Sequence, residues 1–205
     1  VLVNLYKAKT PVAVFSLPLI IGLVCVALFF REPVQHIYFF HWQTELFGEI
    51  QKITWLNFLL SGAFMSLNAH QLNNILNRNN FYSKDTFLPV FIYVIGLATF
   101  ESVDFSPLLI AHLFLIAAMA ALLQIRRQEP GKNLIFVGSV SIGILLVFSP
   151  LLITLALVPW LTLLIVKPFD WREWFMVPLG LILPVFYHYI IHYLITGSIQ
   201  IKQMG

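Results

Sequence analysis

The chain has 205 residues, of which 60% are hydrophobic, 15% aromatic and only 10% charged, whereas ordinary soluble domains are roughly 25% charged. That composition argues against a typical water-soluble domain, and a formal net charge of +3 from scattered basic residues excludes a nucleic-acid-binding face. The single cysteine, Cys25, excludes an intramolecular disulfide framework.

A membrane-spanning helix needs about 20 mostly apolar residues. Such runs fall near 11–30, 53–76, 86–103, 105–125, 134–149, 150–167 and 174–196. The fold expected is therefore all-α: one polytopic transmembrane domain over 1–205, a bundle of about seven transmembrane helices. The first run, "PVAVFSLPLIIGLVCVALFF", ends in Arg31-Glu32-Pro33. It fits a spanning helix retained in the mature protein better than a cleaved signal peptide.

The loop 31–52 that follows interleaves Tyr38, Phe39, Phe40, Trp42 and Phe47 with Glu45 and Glu49. This pattern predicts a helix lying in the plane of the membrane interface. It serves either as a simple anchor, the reading preferred here, or as one wall of a site for a lipid-linked substrate at headgroup depth.

The second span runs into "SLNAHQLNNILNRNNF", residues 66–81, with six asparagines in an otherwise apolar chain. At 100° per residue, Ser66, His70, Asn73 and Asn77 share one side, beside an apolar strip of Met65, Ala69, Leu72 and Leu76. Two readings follow. The plainer one, and the one preferred, is a helix leaving the hydrocarbon with amides bonded to its own backbone. The other makes His70, Asn73 and Asn77 a helix-docking face, because polar groups at membrane depth turn toward other helices or a wet cavity.

The run 134–167 is too long for one span, and its only turn signal is Ser149-Pro150, since the residue before proline is pushed out of the helical region. A tight hairpin of two short helices is expected, with a single kinked helix as the alternative. The turn "VKPFDWREW" that follows reads as a structural turn, with Trp171 and Trp174 at the interface and Asp170 or Glu173 paired locally with Arg172. Pro178 and Pro184 bend the last span.

Cytoplasmic loops carry the excess of lysine and arginine. With the amino terminus inside, Lys7, Lys9, Arg78, Lys84, Arg126, Arg127, Lys132, Lys167 and Arg172 are cytoplasmic, and only Arg31, Lys52 and Lys202 are outside, a bias of nine to three. This orientation leaves "TGSIQIKQMG" on the outer face.

Glu32, Glu45, Glu101, Asp104 and His112 then come to a similar depth in the outer half and form a candidate outer-face polar site. His188 and His192, four apart, share a helix face and could take a metal with Glu101 or Asp104. The surrounding "FYHYIIHYL" reads first as an interfacial aromatic belt, so neither a metal nor a cofactor is expected. No Asp, Glu, Lys or Arg lies in the middle of a predicted span, which disfavours a pump or channel. No P-loop, HExxH or GxSxG motif is present.

The segments "LNAHQLNNILNRNNF", "FSPLLIAHLFLIAAMAALL", "GSVSIGILLVFSPLLITLALVPWLTLLIVKPFDWREW" and "PLGLILPVFYHYII" together resemble an uncharacterised family of multi-span inner-membrane proteins from Bacteroidota, over about residues 55–195. The resemblance implies a multi-pass protein of the bacterial cytoplasmic (inner) membrane with no established activity; members of that family tend to continue through further spans, so either the native chain ends at Gly205 or the sequence is part of a longer one. The glycine-spaced hairpin also looks like those of polyprenyl-phosphate-dependent membrane glycosyltransferases, but the acidic pair such enzymes carry in the first outer loop is replaced here by isolated Glu32, Glu45 and Glu49. The expected function is a non-catalytic, membrane-embedded subunit of a cell-envelope complex with membrane-protein partners. The alternative is a glycosyltransferase-like enzyme acting on a polyprenyl-phosphate-linked substrate at the outer face.

Overall fold

The computed structural model describes residues 38–82, 86–100, 104–125 and 131–196, together with Gly22 and Val26. The first expected span, 11–30, otherwise lies outside the described residues. Those residues form α-helices α1 (His41–Lys52), α2 (Thr54–Arg78), α3 (Leu88–Phe100), α4 (Pro107–Leu122), α5 (Lys132–Phe148), α6 (Val158–Val166) and α7 (Trp171–Thr196), with a 3₁₀ segment over Pro150–Leu157. No strand occurs among the described residues, so the all-α expectation holds. One helix, Trp171–Ile195 in α7, is long and apolar enough by itself to cross a membrane. The apolar helices α3, α4 and α5 are shorter, at 13, 16 and 17 residues.

The chain divides into two compact units, with the boundary between Leu109 and Ile110 inside α4; Tyr38–His41 belongs to the second unit. In the first unit, α1 buries Gln43 and Phe47, one turn apart, and turns Glu45 and Leu46 outward. The helix breaks at Ile53, whose ψ of 88° is extended, and α2 starts at the next residue. Ser61, Met65, Asn68, Ala69 and Asn73 are the buried positions of α2, spaced as one helical face requires. Phe105 packs between Phe47 and Phe64, each ring centroid 5.3 Å away.

The end of α2 accounts for two of the asparagines. Asn80 takes the left-handed conformation at φ 54°, which asparagine adopts more readily than most residues. The Phe81 N–H then donates to Leu76 O and the Asn80 N–H to Asn77 O, both at 3.1 Å, the paired bonds of a Schellman stop. Asn79 adds a side-chain bond, its Nδ2 donating to Ile75 O at 2.8 Å.

In the second unit, Ala118, Leu122, Ile125, Ile135, Ile142, Leu163 and Val177 form the core. The hairpin expectation is met. Ser149 is extended at φ −141°, ψ 85°, and the returning arm brings Lys167 back against Gly131, at the start of α5. The first half of that arm departs from the expected α-helix and winds as 3₁₀. Pro159 has no N–H to donate to Leu155 O, four residues back, and that carbonyl instead accepts the Val158 N–H, an i→i+3 bond of the tighter helix.

Small residues let α5 and α7 approach backbone to backbone. A Cβ added to Gly143 would lie 2.7 Å from Leu181 O, 2.9 Å from Pro184 Cγ and 3.1 Å from Gly180 O. A Cβ on Gly180 would lie 2.7 Å from Ser139 Cβ. Pro184 leaves the Gly180 carbonyl without its helical donor, and that oxygen faces Gly143, 3.1 Å from where a Cβ would stand.

Candidate functional site

Long-range amide bonds dominate the polar geometry of the first unit. Asn57, in the first turn of α2, spans two groups ahead of α4: its Nδ2 donates to Asp104 Oδ1 at 3.0 Å and its Oδ1 accepts the Phe105 N–H at 2.8 Å. Gln51 Nε2 donates to Phe105 O at 3.0 Å. Both backbone groups of Phe105 are thereby held by side-chain amides, which fixes the chain just before α4 begins.

Farther along α2, Asn68 Nδ2 donates to Leu109 O at 3.0 Å. Asn77 clasps Thr86 by its backbone, donating Nδ2 to the carbonyl at 3.0 Å and accepting the N–H at 3.3 Å. Asn77 thus closes the connection between α2 and α3.

The expected docking face is divided by this packing. Asn73 is buried and Asn77 is turned to Thr86, whereas His70 is exposed. The exposed side of α2 runs Trp55, Leu59, Ala63, Leu67, His70 and Asn74. The 100° projection groups residues correctly to within a turn, but it cannot say on which side the neighbouring helix lies.

Of the candidate outer-face site, Glu32 and Glu101 lie outside the described residues. Glu45 is on the exposed side of α1, Asp104 accepts from Asn57, and both belong to the first unit. His112 is half-buried on α4 in the second unit. His188 sits in an aromatic setting, its ring centroid 4.8 Å from Phe40 and 6.3 Å from His192. Among the described residues no group of three or more His, Cys, Asp or Glu is placed to hold a metal ion.

Comparison with family models, curated proteins and solved structures finds no match for this chain.

The site that sequence reasoning missed is in the second unit. Lys167 Nζ donates to Glu173 Oε1 at 2.7 Å, and both side chains are only 6% exposed. The same carboxylate oxygen accepts the Gly131 N–H at 3.1 Å. A Cβ added to Gly131 would stand 2.7 Å from Lys167 Nζ, so a larger residue would displace the ammonium from its place against Glu173. Glu173 therefore pairs with Lys167, not Arg172. The neighbouring Asp170 caps α7, its Oδ1 accepting the Arg172 N–H at 3.0 Å. Trp174 closes over this turn, 5.0 Å from the Trp160 ring and 5.2 Å from Phe169. The triad ties together the start of α5, the end of α6 and the start of α7.

Proposed function

We propose that this chain is a multi-pass protein of the bacterial inner membrane, a non-catalytic subunit that docks other membrane proteins of a cell-envelope assembly. One observation carries the membrane reading: α7, the most clearly apolar of the long helices, is also barely covered, with 11% of its apolar window buried. Phe175, Ile182 and Phe186 are 60%, 63% and 58% exposed. In water a long apolar helix is one that a fold buries; an uncovered one fits a hydrocarbon surrounding. Asn68 and Asn77 turn their amides onto backbone groups of other segments and Lys167 turns onto Glu173, as lipid favours.

The docking reading rests on the exposed side of α2, where His70 and Asn74 follow Trp55, Leu59 and Leu67 on one face. Polar groups on an otherwise apolar face are satisfied in a membrane by another helix. The likeness to the Bacteroidota family supplies the compartment. Mild detergent extraction followed by mass spectrometry tests this reading: wild-type protein should carry membrane-protein partners that are lost when His70 and Asn74 are both changed to leucine. Under the enzymatic alternative the co-purifying species is a polyprenyl phosphate, and Glu45→Gln abolishes turnover in an inserted, folded protein.

A further inference from the structure

A shallow, open hollow of about 350 Å³ lies along one face of α7, lined by Phe175, Pro178, Leu179, Ile182, Leu183 and Phe186. Its walls are almost wholly carbon. From Phe175 to Phe186 the helix rises about 16 Å at 1.5 Å per residue, close to half of a hydrocarbon core about 30 Å thick. The groove is therefore one leaflet deep.

The near end carries the guanidinium of Arg172. Arg172 lies three residues before Phe175 and Trp171 lies four before it, which puts both on the groove side of α7. The Arg172 guanidinium lies over the Trp171 ring, 5.8 Å from its centroid, and among the described residues it has no carboxylate partner. The acids nearest in sequence are otherwise engaged, Asp170 capping the helix and Glu173 holding Lys167. A guanidinium at the mouth of an apolar channel presents a charge and a fork of donors matched to a phosphate diester, and Trp171 beside it suits the headgroup region.

We propose that this groove is a binding site for one anionic phospholipid of the cytoplasmic leaflet, with an acyl chain along Phe175–Phe186 and the headgroup phosphate on Arg172. The inference rests on the membrane reading above and adds the lipid class and the residues that select it.

The test is native mass spectrometry of the full chain, released from mixed phosphatidylglycerol and phosphatidylcholine nanodiscs, with carbonate-resistant membrane fractionation run in parallel. The wild type should retain one phosphatidylglycerol in preference to phosphatidylcholine. R172Q should reduce that preference about five-fold, the worth of one cation at a lipid surface, while leaving total lipid retention in place. I182W, which fills the groove at an exposed position, should remove retention of both lipids. Equal retention of the two lipids by the wild type, an unchanged preference in R172Q, or a polyprenyl phosphate as the retained species overturns the phospholipid site. If the chain is also stripped from membranes by carbonate, the membrane reading itself fails; if it stays inserted, only the lipid site does.

Discussion

Lys167 and Glu173 lie on opposite sides of a four-residue turn and bury their charges against each other, 2.7 Å apart, with the Gly131 N–H on the same carboxylate oxygen. Removing one member of a buried pair strands the other, at a cost of about 3–5 kcal/mol. K167M and E173Q should each destabilise the protein by that amount in denaturant titration in detergent. The double variant K167M/E173L should lose much less than the sum. Additive losses would show that the two charges are not coupled.

The glycines separate into two kinds. Gly143 and Gly180 are where helices α5 and α7 meet, whereas nothing lies within 4 Å of a Cβ added at Gly96. G143A forces backbone apart and should cost about 1–3 kcal/mol. G96A, in the middle of α3, should instead stabilise by up to about 1 kcal/mol through helix propensity. Thermal unfolding of both variants in one detergent checks the contrast.

The amides of α2 differ in the same way. Asn77 makes two bonds to the Thr86 backbone, so N77L should cost about 1–3 kcal/mol and loosen the α2–α3 connection to limited proteolysis. The Oδ1 of Asn73 is buried with no hydrogen-bond partner among the described residues. N73L should therefore leave stability within about 1 kcal/mol of wild type or raise it. A large loss in N73L would reveal a polar partner at that position.

These contrasts mark how far the sequence could be read. The Ser149-Pro150 break and the helical runs were legible, because apolar length and proline sterics act locally. The 3₁₀ winding of Pro150–Leu157 was not read, though one contribution at its end, the missing N–H of Pro159, is written in the chain. The six asparagines between residues 66 and 81 turned out to have several roles. Asn79 and Asn80 end the helix, as the plainer reading expected, while Asn68 and Asn77 hold backbone groups on other segments, and no projection of α2 alone could name Leu109 or Thr86 as their partners. The Lys167–Glu173 pair stayed hidden because it joins residues across a non-helical turn, where i,i+4 spacing rules do not apply and Arg172 is the nearer cation in sequence.

Pro159 offers a further check. P159A supplies an i→i+4 N–H to Leu155 O, which otherwise accepts the i→i+3 N–H of Val158, so the end of the Pro150–Leu157 segment should shift toward α-helix. The readout is increased amide exchange protection across Val158–Val166, with the Ser149-Pro150 turn retained. Unchanged protection would place the cause of the 3₁₀ winding elsewhere.

The central claim is that the uncovered side of α7 lies in hydrocarbon. Spin labels on single cysteines placed at Ile182, Phe186 and Phe81, in a Cys25→Ser background reconstituted into liposomes, test it directly through accessibility to oxygen and to a water-soluble nickel complex. The account predicts high oxygen and negligible nickel accessibility at 182 and 186, with the reverse at 81. Nickel accessibility at 182 equal to that at 81 would contradict it.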